Sequence, residues 1–242
     1  MSKANREALQ RFLVGKGAVL TVDGVVGPRT QRAIFELFAN RGAAAVTAGE
    51  IRMVAQEIGV PVENLRAVAA VESGGNPFLP SGHTKILFER HWLFRRIGRA
   101  LSASSVHGHL LAASTPGGYT LDADRDGIND SWEKLVEACA VDPVAAFESC
   151  SWGKFQIMGG HWKALGYASV FDFAWSIRES ELGHYRALAA FIRANRLEGA
   201  LRRIGPDPAQ NEAFARGYNG AGFRKTEYHL KLARAMRREL AA

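Results

Sequence analysis

The sequence lacks long hydrophobic segments and is poor in cysteine. No apolar run approaches the roughly 20 residues of a membrane-spanning helix. Residues 1–7 lack the apolar core of a secretory signal, so we expect that any export uses another route. Cys139 and Cys150 are the only cysteines, too few for a disulfide scaffold. They would pair if two short helices folded back on each other, but we expect free thiols.

Signatures of nucleic-acid binding are also missing. No stretch alternates aromatic residues with Lys and Arg, and no helix-turn-helix or zinc-ligand spacing is present. The net charge of +7 still implies an anionic partner. An anionic cell envelope fits this charge as well as nucleic acid does, and we expect no nucleic-acid partner. The 242 residues, 47% of them apolar, predict one large soluble domain or a large domain and a small one.

A single carboxylate stands at the end of an apolar helical segment. Leu65, Val68 and Glu72 are spaced i, i+3 and i+7, so Glu72 shares the face that its neighbours bury. The following SGGNP ends the helix at this point. Burial and the negative end of the helix dipole both disfavour an ionised carboxylate. A protonated acid is what cleavage of a glycosidic bond requires, although the helix could simply expose a glutamate in its last turn.

Residues 83–92, HTKILFERHW, predict a short strand or hairpin that carries a second carboxylate, Glu89. Two carboxylates across a cleft are typical of hydrolases that use a nucleophile or activate water. The alternative for Glu89 is a salt bridge to Arg90, Arg95 or His91.

An acidic segment predicts a calcium site. Residues 122–133, DADRDGINDSWE, follow the spacing of an EF-hand loop, with Gly127 at its sixth position. The departure is Asn129, where EF-hands usually carry an apolar residue. We expect a structural role for calcium, and the alternative is a solvated acidic turn. The predicted ligands are Asp122, Asp124, Asp126, the carbonyl of Ile128, Asp130 and Glu133.

Two later segments carry candidate sugar-binding groups. In residues 151–162, SWGKFQIMGGHW, Gly153 permits close backbone approach and Gln156 is polar among apolar neighbours. A buried amide needs partners, which either a sugar groove or an ordinary buried helix would supply. Residues 217–222, GYNGAG, predict a turn that presents Tyr218 for stacking and Asn219 for hydrogen bonding.

Two predicted helices complete the C-terminal half. The pattern after Ser169 predicts one long helix that reaches about Asn195. The closing segment places Leu232, Met236 and Leu240 at i+4 spacing beneath Lys and Arg residues. Such a basic amphipathic helix either docks on its own domain or lies on an anionic membrane surface, and we favour docking.

Residues 2–42 predict two short helices around a turn-rich loop. This segment resembles a small peptidoglycan-binding domain with the pattern LQxxL…VDGxxGPxTxxA. The resemblance implies a three-helix unit that grips the cell wall. The matching residues are Leu9, Gln10, Leu13, Val22, Asp23, Gly24, Gly27, Pro28, Thr30 and Ala33.

The segments VESGGNP, SWGKFQIM and GYNGAG, in this order, resemble the goose-type lysozyme and soluble lytic transglycosylase superfamily. Through ILFERH and SWGKFQIMG the chain is more similar to the N-acetylmuramidase domain of modular phage endolysins. Departures are Gly220 in place of the usual alanine and Lys154-Phe155 in place of Leu-Met. The resemblance implies a mainly α fold, a small three-helix wall-binding domain before a lysozyme-like α+β domain with a short β-hairpin.

The same resemblance implies a general acid at Glu72, with Ser73, Gln156, Tyr218 and Asn219 in the saccharide groove. The expected domains are residues 1–42, a linker at 43–46, and the muramidase domain at 47–242. The expected protein is a monomer that accumulates in the host cytoplasm and reaches peptidoglycan through a holin. A lytic transglycosylase, which needs no second carboxylate, is one alternative. The other is a wall-binding or membrane-disrupting protein without turnover.

Overall fold

The computed structural model describes residues 3–72, 75–103 and 110–241. It is mainly helical with small antiparallel sheets, as the sequence predicts. None of the described helices has the length and apolar character needed to cross a membrane. The helices are α1 Lys3–Gly15, α2 Pro28–Phe38, α3 Ala48–Glu57, α4 Val62–Glu72, α5 Arg90–Ile97, α6 Asp130–Cys139, α7 Pro143–Glu148, α8 Val170–Glu179, α9 Glu181–Ala194, α10 Glu198–Arg202, α11 Pro208–Asn219 and α12 Tyr228–Ala241.

Five short strands form two antiparallel sheets. The strands are β1 Ile86–Phe88, β2 Leu101–Ala103, β3 Leu110–Ala112, β4 Cys150–Trp152 and β5 Ile157–Met158. One sheet has the order β1-β4-β5, and the other pairs β2 with β3. The strand predicted over 83–92 is therefore confined to β1. The chain turns helical at Arg90 and stays so until Gly98, whose left-handed φ of 71° ends α5.

Helix α4 begins and ends where its sequence signals predict. Thr47 and Glu50 form a reciprocal capping box at the start of α3. Gly59, with φ of 63°, follows α3, and α4 then runs to Glu72. Leu65 and Val68 are fully buried. The apolar face of α4 is thus fixed in the core, and this fixes the position of the carboxylate at its end.

The N-terminal segment packs into the same core as the rest of the chain. Residues 3–42 contain two helices, α1 and α2, and the next helix begins at Ala48, so this unit has two helices rather than three. The Phe38 ring lies 5.3 Å from Phe147, 5.6 Å from Trp175 and 5.9 Å from Trp132, centroid to centroid. Its fully buried ring joins the N-terminal unit to α6, α7 and α8.

The prediction of one long helix after Ser169 is wrong, because the chain breaks at Ser180 into α8 and α9. Ser169 caps α8, and its side chain accepts from the amide of Asp172. Ser180 adopts extended backbone and bridges Ala44 of the connector. The amide of Glu181 donates to the carbonyl of Ala44 at 2.9 Å. A long-range contact to the connector thus takes the hydrogen bond that a continuous helix would have used.

Helix α12 docks on the domain, as the favoured interpretation predicts. Leu232 and Met236 are buried, and α12 packs mainly against α4 and α11. Leu240 stays 62% exposed. Because the apolar side of α12 is docked on the domain, only its charged side can face an anionic surface. Cys139 and Cys150 are both buried free thiols, which confirms that expectation.

Candidate active site

Glu72 lies partly buried at the C-terminal end of α4. Burial raises the pKa of its carboxyl group, because the ionised form loses hydration. The Tyr228 hydroxyl and the charge of Lys231, both from α12, act in the opposite direction. The sequence pattern predicted this raised pKa correctly. It did not reveal Tyr228, because only the docking of α12 on α4 brings that residue to the carboxyl group.

Two tyrosine side chains, Tyr218 and Tyr228, lie near the carboxyl group of Glu72. The rings of Tyr218 and Tyr228 stack 5.8 Å apart at 19°. Burial, and then the charge of Glu72, raise the pKa of both phenols well above the ordinary value. Neither hydroxyl has a hydrogen-bond partner of normal geometry in the described part of the chain. Both phenols are thus neutral donors beside the acid.

Tyr218 is not in a turn, contrary to the prediction. It lies in the last turn of α11, which ends at Asn219, and the turn begins at Gly220 with φ of 76°. The Tyr218 ring also stacks on Phe214 at 5.4 Å, and Tyr218 lines a cavity that Glu72 also lines. Asn219 is exposed, as a sugar-binding group should be.

Two adjoining cavities meet at Glu72, and together they are called the Glu72 cleft below. The larger, about 290 Å³, has mostly aromatic and apolar walls. The smaller has a volume of about 150 Å³, and two lysines are among its lining residues. Glu72 and Gln156 line both. The larger cavity is also lined by Phe155, Ile157, Met158, His161, Phe191, Tyr218 and Asn219, and the smaller by Gly75, Asn76, Pro77, Lys85, Gly153 and Lys154.

Gln156 lines the cleft as predicted, but it is exposed rather than buried. It ends the turn between β4 and β5, with a left-handed φ of 48°. Its amide Nε2 donates to the carbonyl of Gly153 at 2.8 Å, and its Oε1 accepts from the Ser151 hydroxyl at 2.7 Å. A helical interpretation of this segment could not foresee the turn that points the amide into solvent.

The turn that carries Gln156 is braced by a buried histidine. The Lys154 amide donates to Nδ1 of His184 at 3.0 Å. A Cβ atom at Gly153 would lie 2.1 Å from the same nitrogen, and φ is +70° there, which confirms the predicted close approach. Burial lowers the pKa of His184 to about 3, so the ring stays neutral and accepts this bond at physiological pH.

Glu89 lies outside the Glu72 cleft. Its carboxylate accepts from the Tyr119 hydroxyl at 2.5 Å and lies 3.3 Å from Nδ1 of His91, which is one of the predicted alternatives. Lys85 lines the cleft, and Glu89 follows it by four residues of mostly extended chain, roughly 13 Å at 3.3 Å per residue. Among the described residues, Glu72 is the only carboxylate that lines the cleft.

The acidic loop gathers the predicted metal ligands away from the Glu72 cleft. Carboxylate oxygens of Asp122, Asp124 and Asp130 lie within 4.8 Å of one another. The same holds for Asp124, Asp126 and Glu133. Gly127, at φ of 83°, donates its amide to Asp122 at 3.2 Å.

Carboxylates of the acidic loop also accept hydrogen bonds from the backbone amides of the same loop. The Ile128 amide donates to Asp126 at 2.7 Å, and the Ala123 amide to the fully buried Asp130 at 3.0 Å. The donor set therefore fits a hard cation such as calcium. Ser73, the remaining predicted binding residue, lies outside the described residues.

Comparison with known proteins matches this chain to a protein family and to a solved structure. A family model described as N-acetylmuramidase matches residues 61–239. The crystal structure of a Burkholderia AP3 phage endolysin superposes with a TM-score of 0.68 at 32% sequence identity. That match covers 99% of this chain and 96% of the endolysin chain. No curated protein matches significantly.

Proposed function

Because the chain belongs to the N-acetylmuramidase family and is a glycoside hydrolase of peptidoglycan, we propose that Glu72 is its general acid. The observation that carries this assignment is a lone carboxylate, with a pKa raised by burial, at the junction of two cavities. A raised pKa keeps a fraction of the acid protonated near neutral pH. No other described residue in the cleft combines these properties.

The reaction then needs one water molecule and two proton transfers. Glu72 protonates the oxygen that bridges N-acetylmuramic acid to N-acetylglucosamine while the C1–O bond breaks. A water molecule adds to C1 of the muramic acid, and its surplus proton passes to solvent or back to Glu72. The amide of Gln156 and the side chain of Asn219 line the cleft where sugar hydroxyl and N-acetyl groups need hydrogen-bond partners.

Product analysis tests this chemistry. We expect murein digested by the wild-type protein to yield muropeptides with reducing N-acetylmuramic acid ends, measured by mass spectrometry. A lytic transglycosylase would give 1,6-anhydro ends, 18 mass units lighter because no water is added. Predominance of anhydro products would therefore refute hydrolysis at C1.

Burial raises the pKa of Glu72, and the Tyr228 hydroxyl acts against this rise, so Tyr228 should influence the upper pH limit of activity. It stabilises the ionised form of Glu72 and so lowers the pKa of that carboxyl group. In Tyr228→Phe the pKa of Glu72 should rise further, and the alkaline limb of the kcat profile should move to higher pH. Tyr167→Phe removes a phenol hydroxyl elsewhere, next to Ser176, and should leave the limb in place. An unchanged pH profile for Tyr228→Phe would mean that Tyr228 does not influence the pKa of Glu72.

We infer that residues 3–42 bind the cell wall. Support comes from the sequence pattern and from a shallow surface lined by Val19, Leu20 and Arg29, with Val19 99% exposed. An apolar side chain so exposed suits contact with an insoluble partner. Val19→Asp should lower the fraction of protein that sediments with sacculi, whereas hydrolysis of soluble fragments should be unaffected. Equal sedimentation would place wall binding elsewhere.

We also propose that residues 122–133 hold a structural calcium ion. Carboxylates converge in two groups, Asp122 with Asp124 and Asp130, and Asp124 with Asp126 and Glu133. Ionised carboxylates this close repel one another unless a cation neutralises them. Calcium at 100 times its dissociation constant would stabilise the folded protein by about 2.7 kcal/mol. The unfolding temperature should fall with EDTA in the wild type but not in Asp122→Ala. A melting curve indifferent to EDTA would count against the site.

A further inference from the structure

The Glu72 cleft continues into a third cavity that the proposed reaction does not use. This cavity, about 620 Å³, lies between the connector after α2 and the loop after α4. It shares Gly75, Asn76, Pro77 and Lys154 with the smaller cavity of the Glu72 cleft. The three cavities thus form one groove with Glu72 near its middle. The volume lies in the range of about 300–1,000 Å³ that is usual for ligand sites.

The two arms of this groove differ in charge. On one side of Glu72 the walls are aromatic, apolar or amide groups, with His161 held neutral by burial, which lowers its pKa. On the other side stand three cations, Lys85, Lys154 and Arg41. The only carboxylate of this outer arm among the described residues, Glu181, pairs with Lys154 at 3.0 Å. Lys85 and Arg41 form no ion pair with any residue in the described ranges, so the arm carries an excess of positive charge.

Arg41 is held in place through its backbone while its side chain stays exposed. The Asn40 amide donates to the carbonyl of Gly82 at 2.8 Å. The Asn40 side chain donates to the carbonyls of Arg178 and Glu179. A Cβ atom at Gly82 would lie 2.7 Å from the Arg41 amide nitrogen. The backbone at Arg41 is therefore fixed, so that binding an anion needs to order only the side chain, which lowers the entropic cost of binding.

Peptidoglycan presents anionic groups close to the bond that is cleaved. Its N-acetylmuramic acid units, but not its N-acetylglucosamine units, carry a short peptide with several free carboxylates. The bond cleaved lies at C1 of that same sugar, so the peptide leaves the glycan within one ring of Glu72. A polar, cationic arm beside the acid is complementary to this peptide, whereas bare sugar offers no charge to match it.

We propose that the arm lined by Arg41, Lys85 and Lys154 binds the anionic stem peptide of the substrate, with Arg41 contacting a peptide carboxylate. This inference rests on the proposed function, since it takes the muramic acid unit to be bound at Glu72. It gives the segment between α2 and α3, which carries Arg41, a direct role in substrate recognition.

The test compares peptide-bearing glycan fragments with the same fragments after an amidase has removed the peptides. Arg41→Ala should lower kcat/KM on peptide-bearing fragments about fivefold to tenfold, mainly through KM, and Arg41→Glu should lower it more. Arg41→Lys should recover part of the activity, and added salt should shrink the difference. Arg52→Ala, which removes an exposed arginine from α3 outside the groove, is the matched control. On stripped fragments all four variants should equal the wild type.

Two results would overturn the inference. Equal losses of Arg41→Ala on both substrates would mean that the arm binds sugar or supports the fold. No loss on either substrate would mean that the peptide lies elsewhere. A failure of the proposed function is distinguishable from both, because it would appear as hydrolysis of stripped fragments that does not depend on Glu72.

Discussion

Replacing Glu72 by glutamine is expected to reduce the rate of peptidoglycan hydrolysis by roughly 10²–10⁴-fold, the usual contribution of a general acid. Glutamine keeps the size and hydrogen-bonding shape of the side chain but has no proton to give. The loss should appear in kcat, with binding to sacculi retained, because substrate contacts along the cleft remain. The measurement is release of reducing ends from purified sacculi, together with sedimentation of the protein on the same material.

Folding should not suffer from this change. Since burial raises the pKa of Glu72 in the folded state, the ionised form is destabilised there relative to the unfolded chain. The stability contributed by the protonated form is fully present below the unfolded pKa and is lost as pH rises through the folded pKa. At neutral pH Glu72→Gln should therefore melt at the same temperature as the wild type or higher. A lower melting temperature would point to a structural role for the carboxylate.

Glu89→Gln is the matched control. Glu89 bonds to Tyr119 and His91 outside the cleft, so this variant should keep hydrolysis within about threefold of the wild type and should lose only local stability. A loss as large as that of Glu72→Gln would mean that Glu89 is the second catalytic carboxylate. The cleft would then have to close around Glu89.

Replacing Phe38 by alanine should destabilise the whole protein by about 3–5 kcal/mol. The ring is fully buried and contacts Trp132, Phe147 and Trp175, so its removal leaves a cavity between the N-terminal unit and the centre of the molecule. We expect one cooperative transition in urea, monitored by tryptophan fluorescence and by far-UV circular dichroism, with its midpoint shifted to lower urea.

Val19→Ala provides the comparison for Phe38→Ala. Val19 belongs to the same N-terminal unit but is 99% exposed, so its truncation should change stability by no more than about 0.5 kcal/mol. Two separate transitions, with only one shifted by Phe38→Ala, would show instead that residues 1–42 fold as an independent domain, as the sequence predicts.

Local signals in the sequence predicted local structure well. The end of α4 after Glu72 and the raised pKa of its carboxyl group both follow from neighbouring residues. Gly153 was singled out for close approach because only glycine allows it, and His184 is the group that approaches.

What the sequence could not predict depends on contacts between distant segments. Ser180 breaks a helix because Ala44 pairs with it, and no local residue signals this. Gln156 is exposed because the chain turns between β4 and β5. Tyr228 reaches Glu72 only through the docking of α12 on α4. The sequence thus predicts that Glu72 and the motif residues Gln156 and Asn219 line one cleft, but it does not predict a partner that arrives from another part of the chain.

The docking of α12 on α4 has a consequence for biosynthesis. During translation α4 leaves the ribosome early, whereas Tyr228 and the rest of α12 are among the last residues described. The buried environment of Glu72 is therefore completed only after α12 has been synthesised, and a shorter nascent chain carries this carboxyl group without Tyr228 and Lys231 beside it. The order of the helices along the chain thus places the full burial of Glu72 after the synthesis of α12.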